Sequence, residues 1–272
     1  TYYEAQDEAD EARYIVKSIT STSENYNQFS ILYRTNAQSR ALEEALIAAL
    51  FIEYEDGTED FIPTDSTWQC AKSNIIYSHV YNGETVDYNA NTDEVFPVKV
   101  LEDVSTDILV PNEGEETREM ARLEAVELIK TPAGETVIDF GQNLVGYVEW
   151  LVPAKKSREF KLYHAEVLDK DGNFYTTNLR GAKAEIKVVS DGNEHKFKPT
   201  FSYQGFRYIK LEGFDEEDVR LENFCAVVVF SNMKRTGYFR CGNEKINQLY
   251  HNVIWGQKSN YLDIPTDCPQ RD

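Results

Sequence analysis

Apolar residues fall into two textures along the chain, and the change comes near residue 50. In the first stretch Ala5, Ala9, Ala12, Ile15, Val16 and Ile19 recur at helical spacing, with acids crowded into the early turns where the helix dipole favours them. A turn over residues 21–27, an apolar strand Phe29–Tyr33, a polar loop Arg34–Arg40 and a second helix near Ala41–Ala49 give the order of a short α/β segment. From Phe51 the pattern is that of strands. Asp56-Gly57, between Phe51–Glu55 and Phe61-Ile62, predicts a hairpin. The charged run 111–122 predicts a linker and a domain boundary. Beyond it apolar runs are spaced as in a β-sandwich: Val126–Ile129, Val137–Phe140, Tyr147–Val152, Phe160–Val167, Ile186–Val189, Phe206–Leu211 and Ala226–Phe230. Asn243 then caps a predicted helix in which Ile246, Leu249, Tyr250, Val253 and Ile254 share one face.

Composition narrows the function classes. The net charge of −19 repels phosphate backbones, so nucleic acid is not an expected partner of the whole chain. The same acidity is compatible with neutral ligands without selecting them. Cys70, Cys225, Cys241 and Cys268 form no CxxC pair, which predicts buried or idle thiols and neither a zinc site nor a disulfide scaffold. No apolar run is long enough to span a bilayer and no leader is recognisable, so the expectation is no membrane partner and a cytoplasmic location. Oligomeric state is not legible.

Four clusters are candidates for chemistry. Asp139-Phe140-Gly141-Gln142-Asn143-Leu144-Val145-Gly146 reads as a tight turn between two strands, with Asp139, Gln142 and Asn143 as possible ligand-binding groups. Asp169–Asn173 (DKDGN) has clustered oxygens but lacks the glycine and glutamate spacing of a calcium-binding EF-hand, so a hairpin turn is expected and no metal site. His164 and Glu166 lie two apart on a predicted strand and read as packing or hydrogen-bonding residues. The last stretch, Asn260–Asp272 (NYLDIPTDCPQRD), sets Asp263, Asp267, Arg271 and Asp272 between prolines, which suits either a rigid ligand-presenting loop or a solvated tail.

All four clusters carry a resemblance. DFGQN (139–143), HAE (164–166) with DKDGN, YQGFRY (203–208) and above all LDIPTDCPQRD (262–272) are similar to the bacterial inverting alpha-L-rhamnosidases, over about residues 51–272. The resemblance implies a mainly β fold: a concanavalin-like β-sandwich at 123–235, a partial N-terminal β-sandwich at 51–110, and the first helix of an (α/α)6 catalytic barrel at 240–272. It implies rhamnose-containing glycosides as partners, no cofactor, and hydrogen bonds from Asp267 and Arg271 to rhamnose hydroxyls. Inverting glycosidases need an acid and a base carboxylate roughly 6.5–9.5 Å apart. In this family the acid is a Glu two residues after the Arg of CPQR, and the base is further downstream. Neither is then expected within the 272 residues, and the chain alone is expected to be inactive.

A second resemblance covers residues 2–48. Ile31–Ile47 (ILYRTNAQSRALEEALI) is similar to the UvrD/PcrA-type DNA helicases, which makes 1–48 a helicase-like α/β fragment. The phosphate-binding GxxxxGK[ST] is absent, so no ATP site is expected, and Arg34 and Arg40 read as surface or capping residues. No Gly, Pro or Asn separates the helical Ala45–Leu50 from the strand that follows, which predicts a chimeric join between about Ala45 and Phe51. The leading function is thus a rhamnosidase segment. The alternatives are a non-catalytic carbohydrate-binding or structural β-sandwich and, more weakly, a helicase subdomain.

Overall fold

The computed structural model describes residues 49–63, 65–100 and 114–268. The helicase-like calls on 1–48 lie outside these residues. Strands in chain order are β1 (Ala49–Glu53), β2 (Glu59–Pro63), β3 (Gln69–Ala71), β4 (Ile75–His79), β5 (Gly83–Asp87), β6 (Val95–Pro97), β7 (Thr117–Glu124), β8 (Glu127–Lys130), β9 (Thr136–Val152), β10 (Glu159–Ala165), β11 (Glu185–Val189), β12 (His195–Phe197), β13 (Gln204–Glu212) and β14 (Phe224–Ser231). The helix α1 (Glu244–Ser259) and the short pair β15 (Tyr261–Leu262) and β16 (Ile264–Pro265) follow. The chain divides into two compact units, Thr1–Lys72 with Thr92–Glu113 and Ser73–Asn91 with Gly114–Asp272.

In the first unit β1 and β2 form the expected hairpin, and β3 pairs with β6. Its turn is held by the Asp56 carboxylate, which accepts from the Thr58 backbone N–H at 2.9 Å and from its hydroxyl at 2.6 Å.

The second unit is one ten-stranded sheet in the order β4-β5-β11-β10-β13-β9-β14-β7, with β8 and β12 also on β9. Every pairing is antiparallel except β5 with β11. Long, bent β9 organises the sheet: its first half lies against β8 and β13, its second half against β14 and β12. Side chains alternate across a strand, so those of β9 facing inward build the core. Trp150 is at its centre, 1% exposed, with Phe197, Phe214 and Phe224 at ring-centroid distances of 5.7, 5.3 and 6.4 Å. Ala226, Val227 and Val228 are all buried, as a strand covered on both faces requires.

Two expectations are corrected. DFGQNLVG is no tight turn between two strands; β9 runs through it unbroken, with a kink at Gly141 (φ +74°). The charged run read as a linker is partly strand, because Thr117–Glu124 forms the sheet edge beside β14, where one side of the strand meets solvent and carries charge. β7 brings Thr117–Glu124 into the large sheet, and Ser73–Asn91 joins the same sheet through the pairing of β5 with β11. Buried Glu84 on β5 fixes this segment: its carboxylate accepts from the N–H groups of Thr200 at 3.0 Å and Phe201 at 2.9 Å.

Candidate functional site

The site begins with a mismatch between two strands. Tyr208 of β13 lies opposite Asp139 of β9, while Phe206 lies opposite Leu144. Residues 140–143 therefore stand against Arg207 alone, and the excess backbone bulges out of the ladder. Gly141 permits the left-handed backbone this needs. Gly146 closes the bulge: a β-carbon there would lie 1.9 Å from the carbonyl oxygen of Val227 on β14.

The polar groups of the bulge are tied in order. Asp139 is 5% exposed, and its carboxylate accepts from Arg207 Nε at 2.8 Å and Nη2 at 2.7 Å, and from the Gly141 N–H at 2.6 Å. This fork-to-fork bond orients the guanidinium and raises its pKa above the ordinary arginine value. Gln142 Nε2 donates to the Asn143 carbonyl at 2.7 Å. Asn143 Nδ2 donates to Glu166 Oε1 at 3.1 Å, and Asn178 Nδ2 reaches Glu166 Oε2 at 3.4 Å.

Across from the bulge stands α1. Asn243 caps it by accepting from the Lys245 N–H at 3.0 Å. Gln248, Asn252, Trp255, Gly256 and Ser259 follow helical spacing and present one mixed face. The chain then turns through β15 and β16, with Asp263 at φ +68° donating its N–H to Ser231 Oγ at 2.8 Å. The Thr266 N–H donates to the Asn260 carbonyl at 2.8 Å. These bonds deliver Asp267 and Cys268 to the mouth of a cleft of about 540 Å³ whose other wall is the bulge, Glu166 and Arg207.

Of the residues expected to bind a ligand, Gln142, Asn143 and Asp267 line this one cleft. Asp139 does not; its carboxylate is spent on Arg207, which does. Arg271 lies outside the described residues. Arg207 was missed, although a lone cation inside the otherwise apolar run GFRYI is itself a signal. Glu166, read as a packing or hydrogen-bonding residue, accepts from Asn143 at the cleft wall. His164 faces the core: its Nδ1–H donates to the Ala184 carbonyl at 2.8 Å, and burial lowers its pKa to about 4. Asp169 is consumed by its own turn, accepting from the N–H groups of Asp171 and Asn173. Among the described residues no cluster of three could hold a metal ion, no helix is long and apolar enough to cross a membrane, and the four thiols are exposed or half-buried and form no disulfide.

The fold and cleft define a β-sandwich domain that leads into helical structure, with polar side chains of both lining the cleft where the two meet. Three family models cover most of the chain: the alpha-L-rhamnosidase N-terminal domain at 23–101, the bacterial alpha-L-rhamnosidase concanavalin-like domain at 129–230 and the bacterial alpha-L-rhamnosidase 6 hairpin glycosidase domain at 234–272. The alpha-L-rhamnosidase of Formosa agariphila is 34% identical over 84% of this chain and 26% of its own length, and that of Streptomyces avermitilis 33% over 84% and 23%. The crystal structure of the Aspergillus terreus alpha-L-rhamnosidase superposes with a TM-score of 0.76 at 33% identity, covering 83% of this chain and 27% of that one. The Streptomyces avermitilis enzyme complexed with L-rhamnose gives 0.74 at 30%, covering 83% and 23%. The chain belongs to the alpha-L-rhamnosidase family, and it spans about a quarter of the length of the curated relatives it matches. A short stretch is also 51% identical to the DNA helicase PcrA of Leuconostoc citreum, over 18% of this chain and 7% of that protein. The N-terminal-domain match begins at residue 23, inside the segment that resembles the helicase.

Proposed function

We propose that this chain supplies the sugar-holding approach of an alpha-L-rhamnosidase, which hydrolyses terminal alpha-L-rhamnose from glycosides with inversion. The observation that carries the reading is the meeting of Asp267, from the PTDCPQRD loop, with the polar bulge of β9 in one cleft. In this reading Asp267 accepts hydrogen bonds from rhamnose hydroxyls, and Arg271 donates to them as a fixed fork. Proton donation to the leaving oxygen and activation of water fall to two carboxylates. In this reading the part of Asp267 and the polar bulge is to bind and orient the sugar.

The test is direct. Titration of the chain with L-rhamnose by calorimetry is expected to give saturable heat that Asp267→Asn reduces about tenfold in affinity, the scale of one charge-assisted hydrogen bond. Nitrophenyl rhamnoside is expected to stay intact in the presence of the pure chain. Release of nitrophenol would overturn the reading of this chain as a binding segment.

A further inference from the structure

The loop that carries Asp267 is short, strained at its tip and held from outside. Asp263 sits between the paired Leu262 and Ile264 with φ +68°, a backbone region that most side chains avoid and that Asp and Asn tolerate best. Such a residue keeps its conformation only when its surroundings impose it. Two hydrogen bonds of the loop are local. Asn260 Nδ2 donates to the Gly256 carbonyl at 2.8 Å, and the Asn260 carbonyl accepts from the Thr266 N–H at 2.8 Å, so these two bonds tie the loop to the helix end and let both move together. A third bond crosses to the sheet: the Asp263 N–H donates to Ser231 Oγ at 2.8 Å. Ser231 ends β14 and is 4% exposed. It lies opposite Thr117 of β7, and its own carbonyl accepts from the Met233 N–H at 2.6 Å, so its hydroxyl starts from a fixed backbone. Leu262, the residue before Asp263, is also buried, and a loop that swung away would bring it into water. β14 thus reaches both walls of the cleft. Its Val228 lies opposite Gly146, which closes the bulge, and its Ser231 holds Asp263.

We propose that Ser231 is a positioning residue for sugar binding: its buried hydroxyl registers the Asp267 loop against the sheet and so sets where the Asp267 carboxylate stands. The proposal rests on the reading of Asp267 as a rhamnose-binding group and adds what places it. Ser231 is not among the residues that line the cleft, so it acts through the backbone of Asp263 and not by touching the sugar. A hydrogen bond weakens steeply with distance and angle, so an acceptor free to wander binds less well even when the fold is intact.

The experiment measures the affinity of the 272-residue chain and its variants for L-rhamnose by ligand-observed NMR titration, with far-UV circular dichroism confirming the sheet. Ser231→Ala removes the acceptor without adding bulk and is expected to weaken binding about fivefold, the scale of one hydrogen bond. Ser231→Thr keeps the oxygen and should rescue the affinity. The decisive variant combines Ser231→Ala with Asp267→Asn. It should bind no more weakly than Asp267→Asn alone, because Ser231 acts through Asp267, whereas a merely structural serine would add its own loss. Amide hydrogen exchange gives a second readout: the Asp263 N–H should exchange about tenfold faster in Ser231→Ala, with the buried stretches of β9 unchanged. If the wild-type chain binds rhamnose and Ser231→Ala binds it equally well, the proposal is refuted and the rhamnose reading stands. Additive losses in the double variant, or an unchanged Asp263 exchange rate, refute it in the same way. If the wild-type chain binds no rhamnose, the reading of Asp267 falls and the positioning role falls with it.

Discussion

The two walls of the cleft are built on opposite terms. On the sheet side, the bulge of β9 projects from a strand whose neighbours Val137, Ile138, Leu144, Val145, Val148 and Trp150 are all buried, and its polar groups are bonded to one another. On the helix side, α1 has no buried residue: Ile246, Leu249 and Val253 are 44%, 61% and 57% exposed. The sheet wall is ordered by its own core. The helix wall has a cap and a polar face toward the cleft, and its apolar stripe is the kind of surface a further helical layer would cover. The sheet wall should therefore hold its geometry by itself, and the helix wall should depend on what packs against the apolar stripe.

Substitutions should separate these walls sharply. Gly146→Ala is expected to cost more than about 4 kcal/mol, because the new β-carbon meets a carbonyl oxygen of β14 at 1.9 Å and the ladder must open. Urea unfolding measures this, and a loss under about 1 kcal/mol would show that the close approach can relax.

Acid gives the next largest effect. His164 is neutral in the fold, with a pKa of about 4 against about 6.5 unfolded, so the unfolded chain takes up a proton first. Stability is therefore complete above about pH 6.5 and falls by up to about 3 kcal/mol as pH drops toward 4. His164→Gln should flatten that part of the pH profile of the melting temperature.

Removing the clamp comes third. Asp139→Ala strips Arg207 of its partner and should cost about 2 kcal/mol, with Asp139→Asn costing less. At the small end, Leu249→Ser on α1 should change stability by no more than about 0.5 kcal/mol, since the side chain is mostly in water already. A large loss there would mean that the helix is packed in solution, and the contrast between the walls would vanish.

Local signals were legible where local chemistry decides the outcome. Asp56-Gly57, Asp171-Gly172 and the Asn243 cap each act through a side chain or a glycine within a few residues, and each is where the pattern put it. The apolar runs of β10, β11, β13 and β14 were equally plain. What could not be read depends on partners distant in sequence. The unbroken course of β9 is set by β13 and β14, which hold both sides of the bulge, and polar glycine-rich residues look locally like a turn. β7 looked like a linker because an edge strand keeps its charges on the solvent side. In the site, DFGQN and the PTDC loop were each suspected alone. Their meeting, and the transfer of Asp139's polar role to Arg207, needed the register of β9 against β13.

The parallel pairing of β5 with β11 bears on how this protein can be handled. The concanavalin-like match covers 129–230, which suggests a natural segment to express. That piece would leave behind β4, β5 and β7, exposing β11 at one margin of the sheet and β14 at the other. Two long rows of unpaired N–H and C=O groups invite another molecule to add its own strands, so the trimmed piece should precipitate or exchange strands between copies. Extending it to 73–268 restores both margins and keeps Glu84 in its socket of backbone amides.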